Sequence, residues 1–257
     1  PDRVVEVTKY FASIELKRNK REFVTHTGYF AGKRLTVIST GIGTDNIDIV
    51  LTELDALVNI DLVRREKKNE LKKLKIIRIG TSGSLQKEIE VDSFVASEFA
   101  IGIDNLMNFY EMKNSGDERK ILHAFVKHVQ QNQIGFIPYI TTAAPNLLSV
   151  FNKDFVKGIT VTCPGFYGPQ GRILRAPLAY PHLIDLLTSF QFENYQLTNF
   201  EMETAGIYGM ANILGHEAIS LNAIVANRVE NTFSPNGELA VDNLIRLALE
   251  RIAEMGN

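Results

Sequence analysis

The stretch Lys75-Ile76-Ile77-Arg78-Ile79-Gly80-Thr81-Ser82-Gly83 sets one arginine inside an isoleucine-rich run and follows it with small and hydroxylated residues. Residues 75–80 read as a strand, and residues 80–83 as the turn at its carboxyl end. A guanidinium in such a strand cannot easily reach water, and an unpaired buried charge is costly. Arg78 therefore needs an anion. That anion is either a bound oxyanion, approached by the backbone N–H groups and hydroxyls of the small residues, or a core carboxylate. In open α/β sheets ligands gather at the carboxyl ends of strands, where this motif falls.

Working outward, further short β-rich runs alternate with helical patterns. Residues 34–40, 91–99, 135–142, 158–163 and 219–226 read as strands. Residues 45–57 and 203–214 read as helices, as does the stretch 236–254, with apolar Leu239, Val241, Leu244, Ile245, Leu247, Ala248 and Ile252. Alternating strands and helices predict a layered α/β domain with a parallel or mixed sheet. The basic segment 59–75 reads as a solvated helix or connector, because charge runs usually face water.

Composition narrows the function. The chain has 257 residues, 28 Lys+Arg against 30 Asp+Glu, and a formal net charge of -2. That balance lacks the basic face of a general nucleic-acid binder. No apolar run approaches the length of a membrane span. A single cysteine, Cys163, excludes an intramolecular disulfide framework and predicts a reducing, cytoplasmic setting. The five histidines show no i, i+4 pair, so a zinc site is not expected. There is no Gly-x-Ser-x-Gly elbow and no phosphate-loop signature. The Gly41-Ile42-Gly43 turn lacks the third glycine of a dinucleotide fingerprint.

Three further segments carry candidate chemistry. Arg228 ends the strand Ile224-Val225-Ala226-Asn227-Arg228 and repeats the Arg78 pattern, which points to one anionic or polar ligand shared by both. Asn199-Phe200-Glu201-Met202-Glu203-Thr204-Ala205 lies between a strand and a helix. A carboxylate there could accept from two neighbouring sugar hydroxyls, or could simply favour the helix entry. Phe166-Tyr167-Gly168-Pro169-Gln170-Gly171-Arg172 combines stacking surface with an amide and a guanidinium. That set suits a planar ring with a carbonyl beside an N–H; a plain surface turn is the alternative.

Taken together these motifs resemble the nucleoside phosphorylase family. Pro1-Asp2-Arg3 is similar to the end of the family's Gly-Asp-Pro-x-Arg opening. Arg21-Glu22-Phe23, Ser39-Thr40-Gly41-Ile42-Gly43, Arg78-Ile79-Gly80-Thr81-Ser82-Gly83, Phe166-Tyr167 with Gln170 and Arg172, Glu201-Met202-Glu203 and Asn227-Arg228 follow in the family's order. Within it, the Phe-Tyr-x-x-Gln-x-Arg signature resembles the uridine branch.

The resemblance implies a single domain over residues 1–257: a three-layer α/β/α sandwich around a mixed, partly barrel-like sheet. It implies phosphorolysis of uridine to uracil and ribose 1-phosphate in pyrimidine salvage. No organic cofactor is needed, and inorganic phosphate is the co-substrate. By position, Arg3, Arg78 and Thr81 would hold phosphate. Arg21 would reach the phosphate of a neighbouring subunit, making a homodimer the smallest active unit; plain dimers and trimer-of-dimers hexamers both occur in the family. Met202, Glu203 and Thr81 would hold ribose. Phe166, Gln170, Arg172, Glu201 and Arg228 would form the base pocket, with Arg78, Arg172, Gln170 and Glu203 carrying catalysis.

The sequence also departs from the family. It begins at Pro1, so the opening glycine and the first core strand are expected to precede it. Asp45-Asn46 replaces a small neutral turn near Glu22 and Ile42, where some relatives hold a potassium ion between subunits. The Gly168-Pro169 order and the basic 59–75 segment are atypical. The rivals are a purine nucleoside phosphorylase or nucleosidase of the same fold, and a non-catalytic nucleoside sensor. Purine relatives place an aspartate near Arg228, where this chain has Asn-Arg.

Overall fold

The computed structural model describes residues 1–132 and 134–256. The chain opens with α1 (Asp2–Thr8) and a three-stranded antiparallel meander, β1 (Ser13–Lys20), β2 (Phe23–Phe30) and β3 (Lys33–Ile38). Then come α2 (Thr44–Asn59), the short hairpin strands β4 (Ile60–Asp61) and β5 (Glu66–Lys67), β6 (Lys75–Ser84) and β7 (Phe94–Gly102). They are followed by α3 (Gly116–Gln131), β8 (Tyr139–Thr142), α4 (Pro145–Val150), β9 (Val156–Thr162), α5 (Leu183–Ser189), β10 (Gln191–Phe192) and β11 (Tyr195–Glu201). The last elements are α6 (Thr204–Leu214), β12 (Glu217–Asn227), β13 (Thr232–Phe233) and α7 (Gly237–Glu254).

The main sheet has the order β13-β12-β6-β11-β9-β7-β8, with β10 on β11. β12 runs parallel to β6, β11 to β9, and β9 to β7. β11 is antiparallel to β6. An antiparallel pairing of Leu221 with Ala96 joins β12 back to β7, so five strands close into a ring. This is the mixed, partly barrel-like sheet that the family resemblance implies. Closure is completed by a side chain: the Tyr208 hydroxyl donates to the Ser97 carbonyl at 2.7 Å and accepts from Ser220 N at 2.8 Å.

Helices cover the sheet through separate apolar clusters. α2 and α6 bury Ile47, Val50, Leu51, Ile207 and Met210 in one cluster. Ala240, Leu244 and Ala248 of α7 pack against Ile219 and Leu221 of β12 in another. The i, i+4 spacing of these α7 residues places them on one face. Local signals set the helix ends. Ser115 and Glu118 make a reciprocal capping box on α3. Gly215 ends α6 in the left-handed conformation at φ 79°.

Several boundaries differ from the sequence reading. β6 does not stop at Gly80 but continues to Ser84, because β12 pairs with it from Lys75 through Ser84. Residues 80–83 are therefore sheet, not a turn. The third strand begins at Phe94, since Asp92 takes a positive φ of 66° in the turn before it. Only Tyr139–Thr142 of the 135–142 run is strand; Pro138 precedes it and has no N–H to pair. The basic segment is a connector built around the β4–β5 hairpin, and residues 62–73 are exposed. The β1–β2 strands and helices α1, α3, α4 and α5 were not legible as elements. No helix among the described residues is long and apolar enough to cross a membrane.

Candidate active site

A buried polar chain runs around the strand ring. Ser97 Oγ meets Thr160 Oγ1 at 2.5 Å, Thr160 donates to Asn199 Oδ1 at 2.8 Å, and Asn199 Nδ2 donates to Ser82 Oγ at 2.8 Å. Ser97, Thr160, Asn199, Ser220 and Asn222 are all fully buried. Burying such groups is tolerated because each finds a partner. Arg78 anchors a second buried polar group, on β6 and β12. Its Nη1 donates to Asn222 Oδ1 at 2.7 Å and to Ser220 Oγ at 3.3 Å.

The other Arg78 nitrogen, Nη2, contacts two carboxylates, Glu203 Oε2 at 2.6 Å and Glu201 Oε2 at 3.0 Å. Of the two anions the sequence allowed, the structure supplies carboxylates, both from the Glu201-Met202-Glu203 segment. Burial opposes the Arg78 charge, but Glu201 and Glu203 outweigh it and raise its pKa above the ordinary guanidinium value. The guanidinium lies over Gly80: a Cβ there would sit 2.1 Å from Nη1. Gly80 is thus a space requirement, not a turn residue.

Arg3 stands beside this pair. It reaches Ile79 O at 3.4 Å from the first turn of α1. Burial and the neighbouring Arg78 both lower its pKa. Arg3 has no carboxylate partner among the described residues, so it is the open cation at this end. Thr81 is half-buried, and its hydroxyl makes no hydrogen bond within the described residues. Arg21 sits at the β1–β2 turn, exposed and at φ 57°. Among the described residues its guanidinium makes no hydrogen bond or ion pair.

Glu201 and Glu203 divide their work. Glu201 is 4% exposed and accepts from Thr162 Oγ1 at 2.7 Å, Glu203 N at 2.9 Å and Thr204 N at 3.0 Å. Its carboxyl group sits under the amino end of α6, where the helix dipole favours negative charge. Burial raises its pKa, Arg78 acts against the rise, and Glu203 adds to it. The structure therefore sets Glu201 against Arg78 and α6, with both oxygens engaged. Glu203 Oε1 instead accepts from Gly43 N at 2.8 Å. Gly43 has φ 94°, a conformation that favours glycine. The half-buried Met202 lies between the two glutamates.

The base-reading candidates form a second cluster. Arg172 lies over the Phe166 ring at 3.7 Å and donates to Gln170 Oε1 at 2.5 Å and to Phe166 O at 2.6 Å. Stacking of this kind fixes the guanidinium plane. Gln170 is 4% exposed, whereas Phe166 keeps half of its surface open. Arg228 lies 5.6 Å from the Phe200 ring. Burial lowers the pKa of both arginines, and their proximity lowers that of Arg172 further. Neither has an ion-pair partner among the described residues. Two cavities flank this cluster. One, of about 340 Å³, is lined by Ile103, Phe136, Pro169, Leu178, Tyr180 and Leu183. The other, of about 320 Å³, is bordered by Arg228, Asp185 and Thr188.

The suggested cation position is already partly engaged. Asn46 Nδ2 donates to Ile42 O at 3.2 Å, and a Cβ on Gly41 would meet Asn46 and Glu22. Among the described residues no group of three His, Cys, Asp or Glu side chains could hold a metal. Cys163 is buried, and burial pushes its thiol well up, which makes it inert at neutral pH. The sequence reading missed Ser220, Asn222, Thr162 and Gly43. The polar alternation in Ile219-Ser220-Leu221-Asn222-Ala223 was the available signal for the first two.

Known proteins match this chain in sequence and fold. The family model described as Phosphorylase superfamily covers residues 1–254. A uridine phosphorylase from Thermococcus kodakarensis is 27% identical, over 99% of this chain and 80% of its own. A DeoD-type purine nucleoside phosphorylase from Buchnera aphidicola is 24% identical, over 95% and 86%. The crystal structure of a Trypanosoma brucei nucleoside phosphorylase that shows uridine phosphorylase activity superposes with a TM-score of 0.88 at 29% identity, covering 99% of this chain and 91% of that one. Because the family match spans almost every residue that builds the ring and both arginine clusters, the chain belongs to the phosphorylase superfamily.

Proposed function

We propose that the protein is a uridine phosphorylase, a pentosyltransferase that converts uridine and phosphate to uracil and ribose 1-phosphate. The observation that carries this reading is the base-side cluster: Gln170, Arg172 and Arg228 converge with amide and guanidinium donors and, among the described residues, no paired carboxylate. Such a cluster fits the carbonyl oxygens of uracil. The Gln170 oxygen, which already accepts from Arg172, has a second lone pair for the ring N–H. The uridine phosphorylases among the relatives support the same reading.

In this mechanism the C1′–N1 bond breaks through an oxocarbenium-like ribosyl, and the electron pair leaves with uracil. Arg172 and Gln170 would stabilise the charge that develops on its oxygens. Phosphate, held by Arg3, Arg78 and Thr81, would capture the cation at C1′. Glu203 would accept hydrogen bonds from ribose hydroxyls, with Met202 alongside. Charge stabilisation of this kind is typically the largest catalytic contribution, with ~3 kcal/mol from one well-placed donor. No protein nucleophile and no organic cofactor enter the scheme. Arg21 would act on the phosphate of a second subunit, so the proposed active unit is a homodimer. The proposed setting is the cytoplasm.

The test is a nucleoside panel assayed with and without phosphate. Uracil release from uridine should require phosphate, with little release from inosine or adenosine. Equal cleavage without phosphate would indicate hydrolysis. Preference for inosine would move the protein to the purine branch, which the purine relatives at similar identity make the natural competitor.

A further inference from the structure

Asn227 precedes Arg228 at the end of β12 and is 1% exposed. Its Nδ2 donates to Gln86 O at 2.9 Å and Ile89 O at 2.9 Å, with Lys87 O at 3.4 Å. Its Oδ1 accepts from Val229 N and Glu230 N, both at 2.9 Å. One side chain therefore ties the 86–89 loop to the 227–230 turn, using its donors on the first and its acceptor on the second. The acceptor half is an Asx turn, which fixes the backbone around the residue that follows the asparagine. That residue is Arg228.

Arg228 has few other restraints. Its guanidinium makes no hydrogen bond or ion pair among the described residues. Its stem passes Gly83, where a Cβ would lie 3.5 Å from Arg228 Cγ, and its head faces Phe200. Its backbone N donates to Ser84 O at 3.0 Å. A ring 5.6 Å away does not set reach, so the aim of the guanidinium depends on the 227–230 backbone.

We propose that Asn227 is the positioning residue for Arg228, holding that guanidinium at the base end of the site through the turn its carboxamide builds. The inference rests on the base-binding reading of Arg228 given above. It explains why the position needs both a donor and an acceptor. An aspartate would keep the acceptor for Val229 and Glu230, but would set a carboxylate oxygen against two or three carbonyls. Alanine would release both loops.

The test is a double-mutant cycle in the full-length protein with Asn227→Asp, Asn227→Ala, Arg228→Ala and the two double variants. Thermal unfolding and the separate KM values for uridine and phosphate are measured for each. Both Asn227 variants should raise the uridine KM by about tenfold, a change of one decade in binding, and leave the phosphate KM within about twofold of the parent. In the Arg228→Ala background the uridine effect of either Asn227 change should vanish, while its effect on unfolding temperature remains. Additive effects on uridine KM would overturn the positioning role and leave Arg228 as a base contact. Equal rises in both KM values would also overturn it, as the mark of general loosening. An unchanged uridine KM in Arg228→Ala alone would remove the base-binding reading and the inference with it. If Asn227→Ala does not fold, Asn227→Asp carries the cycle, since repulsion of its carboxylate from Gln86 O and Ile89 O breaks the tie between the two loops.

Discussion

Arg78 and Glu203 meet at 2.6 Å, so the arginine assigned to phosphate and the glutamate assigned to ribose share one charge-assisted hydrogen bond. The second Glu203 oxygen is held by Gly43 N at 2.8 Å. The two substrates would thus be read by a coupled pair rather than by independent groups. Replacing Arg78 by Ala should raise the KM for phosphate and for uridine together. The kcat/KM should fall by roughly a hundredfold or more, the scale of losing a preorganised donor. Steady-state kinetics with each substrate varied in turn measures this. A rise confined to phosphate would show that Glu203 is held without Arg78.

Gly80 offers a finer test of the same site. A methyl group there would lie 2.1 Å from Arg78 Nη1, so the guanidinium must move. Gly80→Ala should weaken phosphate binding by about tenfold or more. Its cost to stability should be on the order of 1–3 kcal/mol, as for other overpacked positions. Phosphate KM and thermal unfolding together check it. An unchanged phosphate KM would mean the arginine adapts without loss.

Arg172 depends on planarity as well as charge. Arg172→Lys keeps the charge but gives up the planar guanidinium whose Nη1 bonds both Gln170 Oε1 and Phe166 O, and its fit over Phe166. The expected result is a fall in kcat/KM for uridine of about tenfold to a hundredfold with little change in unfolding temperature. Phe166→Ala should give a smaller loss in the same direction. If lysine retained full activity, point charge alone would suffice at this position.

The stability of the protein should decline in mild acid. His216 has a side chain that is 1% exposed, and its Nδ1 accepts from Leu74 N at 3.3 Å. Its Nε2 is 3.3 Å from Asp55 Oδ1 but makes no hydrogen bond. Burial lowers its pKa below the usual histidine value, with Asp55 acting in the opposite sense. A base whose folded pKa is depressed contributes stability in full above its unfolded pKa, near 6.5. That contribution is lost as pH falls through the depressed value. Unfolding temperature measured from pH 7.5 downward, in steps of about half a unit, should decline below about 6.5, and His216→Gln should flatten that part of the profile. An identical slope in the variant would assign the effect to other groups, His26 first, whose pKa is also lowered by burial.

Much of this protein was legible along the chain. The apolar run around Arg78, the helical spacing of α7 and the ordered motifs from Arg3 to Arg228 identify the strand, the helix and the family resemblance. The Phe166, Gln170 and Arg172 turn was legible as a local unit because its partners lie within six residues of one another. Tertiary structure alone decided the rest. Arg78 finds its carboxylates on a segment 125 residues away in the case of Glu203, and its neutral partners on β12. Those contacts depend on strand order and register, which local periodicity does not encode. The same holds for the ring closed by Leu221 and Ala96, which turns isolated polar residues in apolar strands into one satisfied network. It holds too for Gly80, whose chain neighbours suggest a turn and whose place in the sheet makes it the floor beneath a guanidinium.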